Sequence, residues 1–284
     1  MRALVVATTV AVASCLLAPA HAGAKPRWQE LPLPPAMPAP AASGFVDVNG
    51  AKIYYAVHGK GPPVILLHGG LGNSDHFAFQ LPALVDKFQV IVVDSRGQGR
   101  STLSKAKLSY HAMAEDVLSV MDTLGVSHAH LAGWSDGGAI ALDLAINHPD
   151  RVDRVFVIGT NYDATGNRPR TKTAPTFARY AAKCRKDHAR LSGKPKTFDA
   201  AITALLPIWR APVIFTKAQL RSIKAPTLVS LGAHDEIIEL AQVKEMATLI
   251  PNASFRLFED TSHFAMWQDP AAVNAALVAF LAGT

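Results

Sequence analysis

Leu131-Ala132-Gly133-Trp134-Ser135-Asp136-Gly137-Gly138 decides how this 284-residue chain is read. The octet continues a strand-like run that begins at His128 and precedes a helix-like run, Ala139 to Asn147. Gly133, Ser135 and Gly137 spell G-x-S-x-G. Between a strand and a helix, that spacing describes a sharp turn that lifts a serine hydroxyl out of a sheet. The glycines clear side chains from places where backbone segments approach closely. Ser135 then precedes the free N–H groups of a helix N-terminus, which favour developing negative charge. The plainer alternative is a glycine-rich turn whose serine caps the helix.

Working outward, short apolar runs end in turn-like segments. Val64-Ile65-Leu66-Leu67 reads as a buried strand leading into His68-Gly69-Gly70-Leu71-Gly72. Gln89 to Asp94 is a second, followed by Ser95-Arg96-Gly97-Gln98-Gly99-Arg100-Ser101. There Asp94 and Arg96 are expected to hold the loop together, because a buried arginine is normally paired. Val152 to Gly159, Pro226 to Leu231 and Ala253 to Phe258 complete the set. Helical patterns cover Phe77 to Phe88, Tyr110 to Leu124 and Pro270 to Leu281. Near the start, Asn49-Gly50 between alternating runs predicts a hairpin. The alternation predicts an α/β fold, a mostly parallel sheet with helices on both faces.

The alternation breaks between Asn161 and Ser222. That stretch holds 13 Lys/Arg against 3 Asp/Glu and shows no clear strand. It is too long for an ordinary loop, so it is expected to form an inserted helical cap over the C-terminal edge of the sheet. Phe177, Tyr180, Phe198, Ile208, Trp209 and Phe215 would be its packing or pocket residues. The expected organisation is a signal peptide over 1–22, a Pro/Ala-rich linker over 23–44, core over 45–160, cap over 161–222 and core again over 223–284.

Composition narrows the class. Hydrophobic residues make up 49% and charged residues 18%, which describes a globular chain and not a disordered one. The net charge is +6, but no nucleic-acid motif accompanies it. Met1-Arg2, the apolar stretch Ala3 to Leu17 and Ala20-His21-Ala22 form a signal-peptide pattern with cleavage near Ala22. Export to the periplasm or medium is expected, with no transmembrane segment in the mature chain. A lipoprotein anchored at Cys15 is the rival. Cleavage would leave Cys184 alone, without an intramolecular disulfide and outside any reactive-cysteine motif.

Ser135, Asp235 and His263 occur in the order serine, acid, histidine, each just after a predicted strand. Ligands bind at that edge of a parallel sheet. His263 would take the Ser135 proton, and Asp235 would orient the imidazole. Asp260 and Glu236 are neighbouring acids, less well placed after a strand. The second glycine turn supplies Gly70 or Leu71 as a backbone donor beside the N–H of Asp136.

His68-Gly69-Gly70, Asp94-Ser95-Arg96-Gly97, Gly133-Trp134-Ser135-Asp136-Gly137-Gly138, Gly232-Ala233-His234-Asp235 and Ser262-His263-Phe264 resemble the α/β-hydrolase superfamily, over roughly Phe45 to Leu281. The elbow and the Asp-Ser-Arg-Gly loop look most like its valacyclovir-hydrolase (biphenyl hydrolase-like) branch and bacterial relatives. Family members usually carry Gly-His where Ser262-His263 stands here. The resemblance implies a serine hydrolase that cleaves a small ester, lactone, thioester or amide through an acyl-enzyme. The expected substrate contacts are Asp136, Trp134 and Trp209. In the human enzyme of that branch the acid after the nucleophile meets an amino group, so Asp136 suits an amine-bearing ester, whereas the basic cap suits an anion. Two other functions compete: a hydrolase-like ligand receptor with little turnover, and perhydrolysis or carbon–carbon bond hydrolysis by the same triad. No metal-ligand spacing and no dinucleotide fingerprint appear. The expectation is a small-molecule substrate, no cofactor, no metal and no nucleic acid, with protein partners unknown.

Overall fold

A computed structural model describes residues 25–169 and 174–284, so the signal-peptide pattern and Cys15 lie outside the described residues. β1 (Ala42–Val48) and β2 (Ala51–His58) form a hairpin around Asn49 and Gly50, whose φ angles of 46° and 77° are both left-handed. This is the tight turn that an Asn-Gly pair favours. In chain order there follow β3 (Pro63–Leu67), α1 (Leu81–Leu84), β4 (Gln89–Val93), α2 (Tyr110–Thr123), β5 (Ala129–Trp134), α3 (Asp136–Asn147) and β6 (Val152–Ile158). Next come α4 (Pro175–Ser192), α5 (Phe198–Trp209) and α6 (Lys217–Ser222). The chain ends with β7 (Thr227–Gly232), α7 (Leu240–Leu249), β8 (Ala253–Phe258), α8 (Ala265–Gln268) and α9 (Pro270–Ala282).

The eight strands make one sheet in the order β1-β2-β4-β3-β5-β6-β7-β8. β2 runs antiparallel to both β1 and β4, and every other neighbouring pair is parallel. Val64 to Leu67 and Val90 to Val93 are buried throughout, as strands covered on both faces must be. α3 packs on β5 and β6, α7 on β7 and α9 on β6. β3 sits between β4 and β5, so the chain leaves β3 for one side and later returns on the other. The loops after β3 and β5 therefore flank the crevice at the switch point of the sheet.

Two expectations need adjustment. The single helix expected over Phe77 to Phe88 is a 3-10 turn, Ser74–Phe77, and then the one-turn α1. Pro82 explains this: without an N–H and with a ring that clashes with the preceding turn, it fits only at a helix start. Within the insertion, α4 and α5 pack on each other, whereas α6 packs against α3 and α7 of the body.

The Pro/Ala-rich stretch is mostly exposed but tethered. Leu31 is buried, Trp28 stacks on His234 at 4.7 Å, and Gln268 Nε2 donates to the carbonyls of Trp28 and Glu30.

The loop after β4 is held as its residue types suggest. Asp94 accepts the N–H of Ser74 at 2.7 Å and that of Arg100 at 2.8 Å. Arg96, 3% exposed, forms a two-point pair with Asp116 of α2 and also reaches the Val48 and Asn49 carbonyls at the hairpin turn. Removing one member of such a buried pair strands the other charge. Arg96→Ala is expected to cost about 3–5 kcal/mol in urea unfolding, and the apolar pair Arg96→Met with Asp116→Leu should recover most of that loss.

Candidate active site

Ser135 occupies the turn between β5 and α3 with φ 55° and ψ −118°. A left-handed backbone at a residue with a side chain costs on the order of 1–3 kcal/mol and persists only where the surroundings impose it. The surroundings do so here. The Ser135 N–H donates to Ile158 O at 2.9 Å, and Ser135 O accepts from Gly138 N, Ala139 N and Thr160 Oγ1. A Cβ on Gly137 would lie 1.9 Å from Leu67 O, and one on Gly133 would lie 2.3 Å from Gly137 O. Both glycines are therefore required by close backbone approach. The Ser135 side chain makes no capping hydrogen bond to α3, which removes the helix-cap reading. It lines a cavity of about 390 Å³ instead.

His263 lines the same cavity. Its Nδ1 is 2.8 Å from Asp235 Oδ2. The other Asp235 oxygen accepts the N–H groups of Ile237 and Ile238, each at 2.8 Å. With Nδ1–H donated to Asp235, Nε2 is left as the acceptor. Burial pushes the imidazole pKa down, but the charge and hydrogen bond of Asp235, with the charges of Glu236 and Asp136, outweigh burial and raise it above the ordinary histidine value. Asp260 does not compete: it is exposed and accepts the N–H of Arg27 at 3.3 Å.

Glu236 has a role that spacing did not reveal. Its Oε2 accepts the backbone N–H of His263 at 3.0 Å, and its Oε1 accepts the Thr176 hydroxyl at 2.5 Å from the first turn of α4. Trp134 grips His263 from the other side, its indole Nε1 donating to His263 O at 2.9 Å. Trp134 borders the cavity but is 1% exposed, so it forms a wall more than a polar contact.

The turn after β3 faces this assembly. Gly70 lines the cavity, and its carbonyl accepts the Tyr180 hydroxyl at 2.8 Å. A Cβ there would come within 2.5 Å of Asp136 Oδ2 and 2.7 Å of Trp209 Cζ2. Leu71 is buried with φ 66° and is not among the described cavity-lining residues. His68 is structural: Nδ1 donates to Gly69 O, Nε2 accepts the Ser95 N–H, and burial lowers its pKa to about 4. Cys184 is fully buried in α4, and burial pushes its thiol far above the ordinary value.

Asp136 lines the cavity beside Ser135. Trp209 Nε1 lies 3.0 Å and 2.8 Å from its two oxygens, and the Tyr110 hydroxyl donates to Oδ1 at 2.9 Å. Burial raises its pKa, against the lowering effect of those hydrogen bonds. Tyr110 opens α2 and showed no sequence signal for this contact. Asn161, Asn167, Arg168 and Arg210 also line the cavity, as do the apolar Phe177, Leu206, Ile214, Ile237 and Ile238.

The sheet order and the Ser135 turn define an α/β-hydrolase, and comparison with known proteins agrees. The family model described as alpha/beta hydrolase fold matches residues 62–197. "Putative carbamate hydrolase RutD" of Caulobacter segnis is 33% identical over 268 residues, spanning 85% of this chain and 99% of that protein. The structure of "Est816 as an N-Acyl homoserine lactone degrading enzyme" superposes with a TM-score of 0.71 at 30% identity, covering 84% of this chain and all of that one. The carboxylesterase CesB (YbfK) from Bacillus subtilis gives a TM-score of 0.71 at 25% identity, covering 87% of this chain and 93% of its own. The chain belongs to the α/β-hydrolase fold family and is an enzyme, a hydrolase. No helix among the described residues is long and apolar enough to cross a membrane.

The hydrogen bonds around His263 are open to direct measurement. In an NMR titration of histidine-labelled protein, the His263 imidazole should titrate above the ordinary value near 6.5. Asp235→Asn should lower that midpoint most, and Glu236→Gln should lower it less, since its carboxylate meets the backbone and not the ring.

Proposed function

We propose that this protein is an exported serine hydrolase that cleaves a small carboxylic ester, lactone, thioester or amide through an acyl-enzyme. The observation that carries the reading is the shared cavity: Ser135, on its strained turn, and His263, hydrogen-bonded to Asp235, both line it. Ser135 Oγ attacks the carbonyl while His263 Nε2 takes its proton. His263 returns the proton to the leaving group, and water then repeats the sequence to release the acid. Asp235 keeps the acceptor nitrogen turned to the serine and stabilises the imidazolium. The names of the relatives, a carbamate hydrolase, a lactone-degrading enzyme and a carboxylesterase, all describe acyl chemistry of this kind.

The tetrahedral oxyanion would be held by the N–H of Asp136, the first residue of α3, whose amide has no intrahelical acceptor. Gly70 supplies the second donor in this reading, since it and not Leu71 borders the cavity. Donors of this kind are worth about 3 kcal/mol each.

A fluorophosphonate probe should modify Ser135 stoichiometrically, with the site read by peptide mapping. Ser135→Ala should abolish labelling and lower kcat by at least about 10⁴-fold while thermal unfolding is unchanged. A folded protein that neither labels nor turns over any ester would be a receptor built on a hydrolase fold. The dependence of kcat/KM on pH follows from His263. The base is active only when neutral, and its pKa is raised. The rate should climb as pH rises through a midpoint above the ordinary histidine value, and Asp235→Asn should move that limb to lower pH. Export is tested separately: N-terminal sequencing of the protein from the periplasm or medium should begin at Gly23, and labelling with palmitate would instead establish an anchor at Cys15.

A further inference from the structure

We propose that the cavity selects substrates carrying an anionic group, such as a carboxylate, at the end remote from the scissile bond, with Arg210 and Arg168 as the receiving cations. The inference rests on the acyl-hydrolase reading above and names its substrate class.

The argument begins with where the basic charge of the insertion goes. Lys183, Arg190, Arg185 and Lys217 are paired with Asp187, Asp75, Asp199 and Glu245. Arg179 donates to the Gln29 carbonyl. Five of the thirteen basic residues are thus neutralised or committed locally. Arg210 is different: it is exposed, it lines the cavity, and its guanidinium has no hydrogen bond or ion pair among the described residues. It follows Trp209 directly at the C-terminus of α5. The turn of helix that brings an indole N–H to Asp136 therefore also brings a free cation to the cavity rim.

Arg168 approaches from another wall and is held in place. Its backbone N–H donates to Ile237 O at 2.8 Å, and its Nε donates to Ile238 O at 3.3 Å. Asn167 forms a β-bridge with Ile238. Ile237 and Ile238 are in turn fixed by their N–H bonds to Asp235. The position of Arg168 is therefore tied to the carboxylate that orients His263. Its Nε also forms an ion pair with Glu239 at 3.6 Å, but its terminal amino groups make no hydrogen bond among the described residues.

The opposite charge is not on offer. Asp136 is the one carboxylate among the described lining residues, and its oxygens already meet Trp209 and Tyr110. Those two donors take about half of a carboxylate's roughly four acceptor positions, and Asp136 is itself buried, which leaves a substrate ammonium a poorer partner than the exposed guanidinium offers an anion. Of the two polar ends that the sequence allowed, amine or anion, the geometry points to the anion. Phe177, Leu206 and Ile214 supply apolar wall that suits a methylene spacer between that anion and the reacting carbonyl.

The test uses three 4-nitrophenyl esters of matched acyl length: the neutral hexanoate, the adipate monoester with a terminal carboxylate, and the 6-aminohexanoate. The readout is the ratio of kcat/KM for adipate to hexanoate within one preparation, so an unfolded fraction cancels. The wild-type ratio should exceed one by about tenfold, the worth of a charged hydrogen bond. It should fall towards one in Arg210→Ala and in Arg168→Ala, mostly through KM, and below one in Arg210→Glu. Lys194→Ala, which removes a cap cation away from the cavity, should leave the ratio unchanged. A wild-type ratio at or below one, a preference for the aminohexanoate, or an equal effect of Lys194→Ala would each overturn the proposal while leaving the hydrolase reading intact. Failure to cleave any of the three esters would overturn both.

Discussion

Close approach of the α3 backbone to the end of β3 is the constraint on which the site depends. Gly137 stands against the Leu67 carbonyl with no room for a Cβ, and Gly133 stands as close to Gly137. This contact lets the chain reverse within one residue, and Ser135 absorbs the reversal as a left-handed backbone. The same contact brings the turn after β3 beside the turn after β5, so Gly70 and Asp136 border one cavity. Parallel neighbours at a switch point make the crevice, and the glycines let it close tightly enough to be useful.

Around that turn, three polar contacts from the insertion reach residues that border Ser135 or support His263. Tyr180 of α4 reaches the Gly70 carbonyl, Thr176 of α4 reaches Glu236, and Trp209 of α5 reaches Asp136. Each partner adjoins a group that the proposed mechanism uses. The placement of α4 and α5 is thereby coupled to the orientation of His263 and of the Gly70 peptide. The aromatic packing of Trp134 with Tyr180, Phe264 and Trp267 supports the same region from below.

The charge pattern of the insertion shows why composition is a poor guide to recognition. Thirteen basic residues between Asn161 and Ser222 suggest a uniform positive face. In three dimensions several are spent on ion pairs with Asp75, Asp187, Asp199 and Glu245, two of which lie outside that stretch. Among the described residues, the cations that line the cavity are local: Arg210 and Arg168. A residue count does not distinguish these cases, because pairing depends on neighbours far away in the chain.

Sequence by itself determined the strand–helix alternation, the hairpin at Asn49-Gly50 and the Gly-x-Ser-x-Gly turn, because periodicity and glycine placement are local properties of the chain. It also placed Ser135, Asp235 and His263 each just after a strand, which puts all three at one edge of a parallel sheet. The apolar pattern overextends the helix at Phe77, because Pro82 fits only the first turn of a helix and α1 starts at Leu81. Tertiary structure alone gave Glu236 its contact with the His263 backbone N–H, beside the bond from Asp235 to the ring that the post-strand position suggests. It alone brought Tyr110 and Trp209 to Asp136 from positions 26 and 73 residues distant. These pairings follow from how the sheet, α2 and the insertion pack together, and no short stretch of sequence contains that information.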